Sequence, residues 1–375
     1  MTNRPRARDL DIRIGRFEPG IHNSITDVAG VRVGHVTLVS GDGPLRIGHG
    51  PVRTGVTAVL PPGDDWYHHP VEAASWTFNG AGTTAGLTLI DEFGRIETPI
   101  LLTNTLSVGA VYEGVVRYMV ETIFAPRGAV PWFSPVVGET SDAWLNDIGG
   151  LHVRPEHAIE AIRNARCGPV PEGCVGAGTG MGALGFKAGI GTSSRRLTGD
   201  HEDATVGVLV QSNFGGRLTV AGVDLADAFK EPPLIASNPS DTAGEVHSDA
   251  DGASIMIIIA TDLPLSSRLL HRVCRRAIFG LARTGSDGGH GSGDYVIAFS
   301  TTQRHHGAMP HWRHALATDE GCISRAFVAV ADATEEAILN SLTAATTMVG
   351  RDGHERRALP IDRLVEVLGK GTHRQ

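Results

Sequence analysis

Three short stretches carry side chains whose types and spacing could do chemistry. In "DADGASIMIIIATDLPL" (249–265) Ser254 stands where an Asp-Gly turn meets an apolar, β-branched run that fits a strand buried on both faces. In "GGHGSGDYVIAFSTT" (288–302) Ser292 and Asp294 are two apart, which places both on one side of an extended chain. An acid so placed can orient a hydroxyl toward a nucleophile or its ammonium. In "VLVQSNFGG" (208–216) Asn213 ends an expected strand, where its amide could donate to an oxyanion. Each residue also has an ordinary structural use: a strand-start cap, a strand entry and a turn.

The type of serine chemistry narrows quickly. An α/β-hydrolase nucleophile needs G-x-S-x-G, and the chain has no such pentapeptide; Ser254 has Gly252 before it but Met256 after it. What remains is the amine-activated route, in which a hydroxyl residue becomes the first residue of a new chain and its own α-amino group serves as base. An α-amino pKa of about 8 suits that group to take a proton near neutrality. The route requires the Ala253–Ser254 bond to break. Small residues precede Ser254, and the segment before it, "KEPPLIASNPSDTAGEVHSDADGA" (230–253), is polar, aperiodic and proline-bearing, as exposed cut sites are. No metal or organic cofactor is required by this chemistry.

Other chemistries fit less well. The runs "GAGTGMGALG" (176–185) and "NGAGTTAG" (79–86) contain G-x-G pairs but no G-x-x-x-x-G-K-[ST], and neither has the strand, helix and downstream acid of a dinucleotide fingerprint. They read better as turns that let backbone approach a site. His305, His306, His311 and His314 in "RHHGAMPHWRH" lack H-E-x-x-H order and sit in a loop-like stretch, so a solvated or interface loop is expected rather than a metal patch. Cys167, Cys174, Cys274 and Cys322 form no C-x-x-C pair and are expected as buried reduced thiols of a cytoplasmic protein.

The whole chain sets the frame. Its 375 residues allow two domains or one large α/β domain, and 33 basic against 41 acidic residues give a formal charge of −8, which argues against nucleic acid or anionic lipid as partners. The N-terminal stretch lacks the apolar run of a secretory signal, and no run reaches membrane-spanning length. Expected partners are small molecules and other subunits. Strands are predicted at 31–39, 54–61, 99–105, 205–213, 254–262, 295–302 and 325–332, and helices at 107–124 (Ser107 as cap), 154–166, 264–283 (Pro264 in the first turn), 333–347 and 360–368. Interleaved at this density, they predict helices layered on sheet.

With these residues assembled, the sequence resembles the DmpA / β-peptidyl aminopeptidase family of self-processing enzymes. The resemblance runs through "ARDLDIRIG", "NSITDVAGVRVGH", "TGVTAVLP", "FNGAG", "LLTNT", "PVVGETSDAWLNDI", "GAGTGM", "GFKAGIGTSSR", "VLVQSNFG", "SIMIIIATDLPL", "LARTGSDGG" and "GSGDYVIAFST", in order. It implies an α/β fold, a four-layer α-β-β-α sandwich like that of N-terminal nucleophile hydrolases but with its own connectivity. It also implies one catalytic domain over 1–375, cut into 1–253 and 254–375, which pair and assemble further, commonly as tetramers. Ser254 matches the nucleophile, Ser292 and Asp294 its supporting pair, Asn213 the oxyanion amide, and Glu139 in "VVGET" the carboxylate that receives a substrate ammonium. Such a carboxylate selects unblocked N-termini by a charge-assisted contact, so short peptides and amino-acid amides or esters are the expected substrates. Two positions depart from the family: Ala253 replaces a glycine often found before the nucleophile, and Ser141 an aromatic residue. A self-cleaving acyltransferase of ornithine-acetyltransferase type, which would present threonine, and an uncleaved ligand-binding protein are the alternatives.

Overall fold

The computed structural model describes residues 4–198, 203–229, 254–304 and 320–371. Two sheets face each other. The first has the order β1 (Arg32–Ser40), β2 (Val52–Leu60), β5 (Ile100–Asn104), β6 (Val136–Thr140), with β5 and β6 parallel. The second has the order β4 (Arg95–Ile96), β3 (Val71–Gly80), β14 (Gly293–Arg304), β13 (Ser254–Thr261), β10 (Ala204–Asn213), β9 (Ile190–Leu197). Within it β13 and β14 run parallel and the other neighbours antiparallel. Two short ribbons, β7 (Gly182–Ala183) with β8 (Phe186–Lys187) and β11 (Thr219–Val220) with β12 (Val223–Asp224), lie outside the two sheets.

Three apolar layers hold four structural layers together. Val33, Val59, Ile100, Leu102 and Val136 of the first sheet meet Leu209, Met256, Ile258, Ile297 and Phe299 of the second. Outside the first sheet, α2 (Val108–Met119) and α3 (Pro155–Arg163) pack on Val56, Ala58, Leu101 and Val137. Outside the second, α4 (Ser267–Arg283) and α5 (Glu320–Thr343) cover Val208, Val210, Ile255, Ile257, Ile259 and Val296. The result is the α-β-β-α sandwich. The run after Ser254 is apolar throughout because its alternate residues feed two different cores: Ile255, Ile257 and Ile259 face the helices, Met256 and Ile258 the opposite sheet.

The remaining elements differ from expectation in instructive places. The predicted strand 325–332, "RAFVAVAD", lies inside α5, and the helix predicted from 333 starts at Glu320. A short apolar run does not distinguish strand from helix. Here alanine favours the helix, and Ile323, Ala326, Ala329, Val330, Ala333 and Ala337 recur at three- and four-residue steps on the core side. Ser107 precedes α2 but makes no capping bond with its side chain, and α4 begins at Ser267 behind Ser266, so Pro264 lies before its first turn. Only Cys274 is a buried thiol; Cys167 is exposed, and Cys174 and Cys322 are half-buried. The histidine-rich stretch 305–314 and the 230–253 segment, including Ala253, lie outside the described residues. Among those described, no helix is long and apolar enough to cross a membrane.

Strands β3, β6 and β9 were not legible as strands, and β9 shows why. It is a polar strand, "IGTSSRRL", whose Thr192, Ser193, Ser194 and Arg195 are nonetheless buried. The Arg195 guanidinium donates to Glu336 on α5 at 2.7 Å and to the carbonyls of Ile14 and Asp332, so its charge is paired under the helix. Close approach of α5 depends on Gly191, where a methyl group would lie 1.9 Å from the Ala337 carbonyl oxygen. Gly191→Ala should therefore cost about 1–3 kcal/mol by overpacking, read as a lower apparent Tm in a thermal melt; an unchanged Tm would show that α5 shifts freely.

Candidate active site

Four strand ends and one tight corner converge at one end of the sandwich. Ser254 is the first residue of β13 and sits between two partners in register, Asn213 at the end of β10 and Gly293 at the start of β14. Its side chain shares the inter-sheet face with Met256. The Gly293 N–H donates to Ser254 Oγ at 3.1 Å. Ser254 is nearly buried, so a hydroxyl on a rigid strand start is held by a backbone donor rather than by a mobile side chain.

Asn213 is oriented from below. The Gly182 N–H on β7 lies 3.1 Å from Asn213 Oδ1, and since an N–H can only donate, that end of the amide must be the oxygen. The other end is thereby fixed as an NH₂ donor beside the Ser254 strand. Gly182 belongs to the Gly-rich 176–185 run, which brings this backbone N–H to Asn213.

Ser292 and Asp294 pair as their spacing predicts, with Ser292 Oγ donating to Asp294 Oδ1 at 2.5 Å. They occupy the opposite face of the strand from Gly293, however, and Asp294 is in register with Ile255 rather than with Ser254. The Ser254 hydroxyl therefore bonds to the backbone between them and not to either side chain. Burial pushes the Asp294 carboxyl above the usual carboxylate range, against the opposing pull of Ser292 and the Ile255 N–H. Its Oδ2 is buried and, among the described residues, has no hydrogen-bond partner. The carboxyl thus lies beside the start of β13, in register with Ile255.

Glu139 comes from the other sheet, near the end of β6. Its two oxygens take one donor each, the Thr83 N–H at 2.7 Å on Oε1 and the Thr105 hydroxyl on Oε2. Burial pushes its pKa up, and these two bonds oppose that shift. The corner 80–83 links Glu139 to the serine: a methyl group on Gly82 would lie 2.9 Å from Glu139 Oε1, 3.3 Å from Tyr295 Cε2 and 3.5 Å from Gly293 Cα. Gly293 in turn holds Ser254, so the carboxylate and the hydroxyl adjoin the same glycine corner.

A model of peptidase family S58 matches residues 23–356. The chain belongs to that family. Among its relatives, the β-peptidyl aminopeptidase BapA of Sphingosinicella microcystinivorans is 44% identical over 372 residues, covering 98% of this chain and 92% of the relative. The solved β-aminopeptidase of a Burkholderia species superposes with a TM-score of 0.85 at 40% identity, over 98% of this chain and 99% of the other. The L-aminopeptidase D-Ala-esterase/amidase of Ochrobactrum anthropi, described as a variant of the Ntn-hydrolase fold, superposes with a TM-score of 0.87 at 35% identity over the same shares. The S58 assignment makes this chain a hydrolase, and the layered sandwich is that of the Ochrobactrum enzyme.

The family resemblance alone had pointed to Glu139; nothing in its local spacing did. The parts that no residue-type argument reached are the donors Gly293 N–H, Gly182 N–H and Thr83 N–H, the hydroxyl of Thr105, and Tyr295. The blocks "FNGAG" and "LLTNT" adjoin or contain two of these five, Thr83 and Thr105, so the signal was present as sequence pattern but without an assigned role.

Proposed function

We propose that this S58 hydrolase is a self-processing aminopeptidase whose nucleophile is Ser254. The observation that carries the reading is the position of the Ser254 hydroxyl at the start of β13, between the amide of Asn213 and the N–H of Gly293. In the precursor, Ser254 Oγ attacks the Ala253 carbonyl carbon, and its proton passes to the departing Ser254 nitrogen. The tetrahedral intermediate collapses by breaking the C–N bond, which leaves an Ala253 ester on Oγ and a free amine on Ser254. Water then cleaves the ester, releasing chains 1–253 and 254–375, which remain associated and assemble as a homo-oligomer of processed pairs.

In the mature enzyme the neutral α-amine accepts the hydroxyl proton as Oγ attacks the first carbonyl of a substrate. Asn213 donates to the oxyanion. The amine passes the proton to the leaving nitrogen or oxygen, and a water molecule, deprotonated in the same way, hydrolyses the acyl-enzyme. Asp294, with its open Oδ2 and its bond from Ser292, receives the α-ammonium that forms during each transfer, and the arriving cation offsets the burial that disfavours the carboxylate.

Glu139 selects the substrate. An ionised carboxylate already fixed by Thr83 and Thr105 can bind the free ammonium of a peptide, amide or ester, as the names of the relatives suggest for their own reactions. The decisive test compares an amino-acid p-nitroanilide with its N-acetylated form. Release of nitroaniline from the free amine alone supports the reading, and equal rates on both sink it. Glu139→Gln removes the charge, and losing one member of a buried ion pair predicts a fall in kcat/KM of roughly 10²-fold on the free-amine substrate. Because burial raises the Glu139 pKa, its protonation should add to the decline of wild-type kcat/KM as pH falls, at a value above the ordinary glutamate range, and that component should be missing in Glu139→Gln, which keeps only the acid limb of the Ser254 α-amine.

A further inference from the structure

The corner that carries the Thr83 donor is flexible by composition. The sequence Asn79-Gly80-Ala81-Gly82-Thr83 places two glycines within three residues, and such a segment needs external bonds to keep one shape. Beyond the pairing of Asn79 and Gly80 with β14, three bonds reach outside it: Ala81 N–H to the Ser292 carbonyl at 3.1 Å, Thr83 N–H to Glu139, and the Asn79 side chain to the Gly289 carbonyl at 2.7 Å, while Gly82 N–H to the Gly80 carbonyl at 2.9 Å closes within it. One more side chain reaches in from β14. Tyr295, two residues beyond Gly293 on β14, extends its hydroxyl to the Gly82 carbonyl at 2.8 Å and lies 3.3 Å from the Gly80 carbonyl.

We propose that Tyr295 is a positioning residue for the substrate's ammonium: its hydroxyl clamps the Gly80–Gly82 carbonyls so that the Thr83 N–H stays aimed at Glu139. Two observations converge on this. The tyrosine ring and Glu139 Oε1 both border Gly82, so any movement of the corner displaces the carboxylate. A phenol facing two carbonyl oxygens is useful only as a donor, and burial, with Glu139 and Asp294 nearby, pushes its pKa up and keeps the proton on it. The clamp reaches the nucleophile only indirectly, since Ser254 is held by the Gly293 backbone. Its effect should therefore fall on substrate binding rather than on the chemical step. The inference rests on the reading of Glu139 as the ammonium carboxylate.

The test uses Tyr295→Phe in the processed enzyme. Loss of one hydrogen bond predicts a rise of about 3- to 10-fold in KM for a free-amine amide, with kcat little changed. Sulfonylation of the enzyme by phenylmethanesulfonyl fluoride, which carries no amine, should proceed at the wild-type rate. Gly82→Ala, which forces a methyl group against Glu139 Oε1, should show the same pattern more strongly. An unchanged KM in Tyr295→Phe overturns the assignment. So does a parallel fall in kcat and sulfonylation, which marks a general structural role, and so does a Tyr295→Phe chain that stays uncut, which places the residue in the nucleophile's own machinery. A wild-type enzyme that releases nothing from the free-amine amide defeats the functional reading instead, and the two failures are told apart by that control.

Discussion

A Ser254→Ala chain is expected to remain one polypeptide of 375 residues and to hydrolyse neither amides nor esters above background. Removing a nucleophile from a serine hydrolase lowers kcat on the order of 10⁶-fold, and here the same change also removes the atom that opens the Ala253–Ser254 bond. Both losses should appear together and without loss of fold. The Ser254 side chain stands at the strand start, and its removal leaves the apolar alternation from Ile255 onward untouched. Far-ultraviolet circular dichroism and a melt establish that the variant is folded. A cut, active Ser254→Ala protein would move the nucleophile elsewhere.

The second large effect is expected at Asn213. Asn213→Ala should lose roughly 10²–10³-fold in kcat, with KM near the wild-type value, because an oxyanion donor acts on charge that develops only in the transition state. Self-cleavage passes through a tetrahedral intermediate at the same hydroxyl, so it should slow by a comparable factor, measurable as the time course of the cut on denaturing gels. Asn213→Asp is the sharper probe. Its carboxylate can still accept from Gly182 but presents negative charge where the amide NH₂ stood, so it should be at least as damaged as alanine. If either variant cleaves itself and turns over at the wild-type rate, the oxyanion is stabilised elsewhere.

The residues that sequence reasoning singled out meet in the structure to different degrees, and the reasons are physical. Ser254 and Asn213 fall in register because both end strands whose apolar composition marked their boundaries to within a residue. Ser292 and Asp294 bond as a two-residue period requires, yet that same period turns them to the face away from the Ser254 hydroxyl, which spacing alone could not reveal. The donors at Gly293, Gly182 and Thr83 are main-chain groups, and a backbone N–H is carried by every residue except proline, so its use leaves no mark in residue type. Glu139 belongs to a strand of five buried residues, too short for its alternation to stand out, and its partners come from positions 83 and 105. The fold was legible where strands carry long apolar, β-branched runs, as β2, β10 and β13 do. It was misread at 325–332, where an alanine-rich apolar run has helical spacing, and missed at β9, where polar side chains are buried through bonds to α5.

The position of Ser254 gives the cut a chemical rationale that does not depend on Ala253. A hydroxyl held by Gly293 and in register with Asn213 is available to attack the preceding carbonyl in the proposed cut, with Asp294 one residue along the neighbouring strand. In the proposed mechanism the same groups serve twice, first on the chain's own peptide bond and afterwards on substrates.

Intact mass under denaturing conditions, measured on freshly purified wild-type protein and again after incubation, tests the central claim most directly. The account predicts two species with the masses of residues 1–253 and 254–375, the smaller beginning with a free serine. A single full-length chain that persists through incubation while hydrolysing amino-acid amides would contradict it, since the proposed base would then not exist.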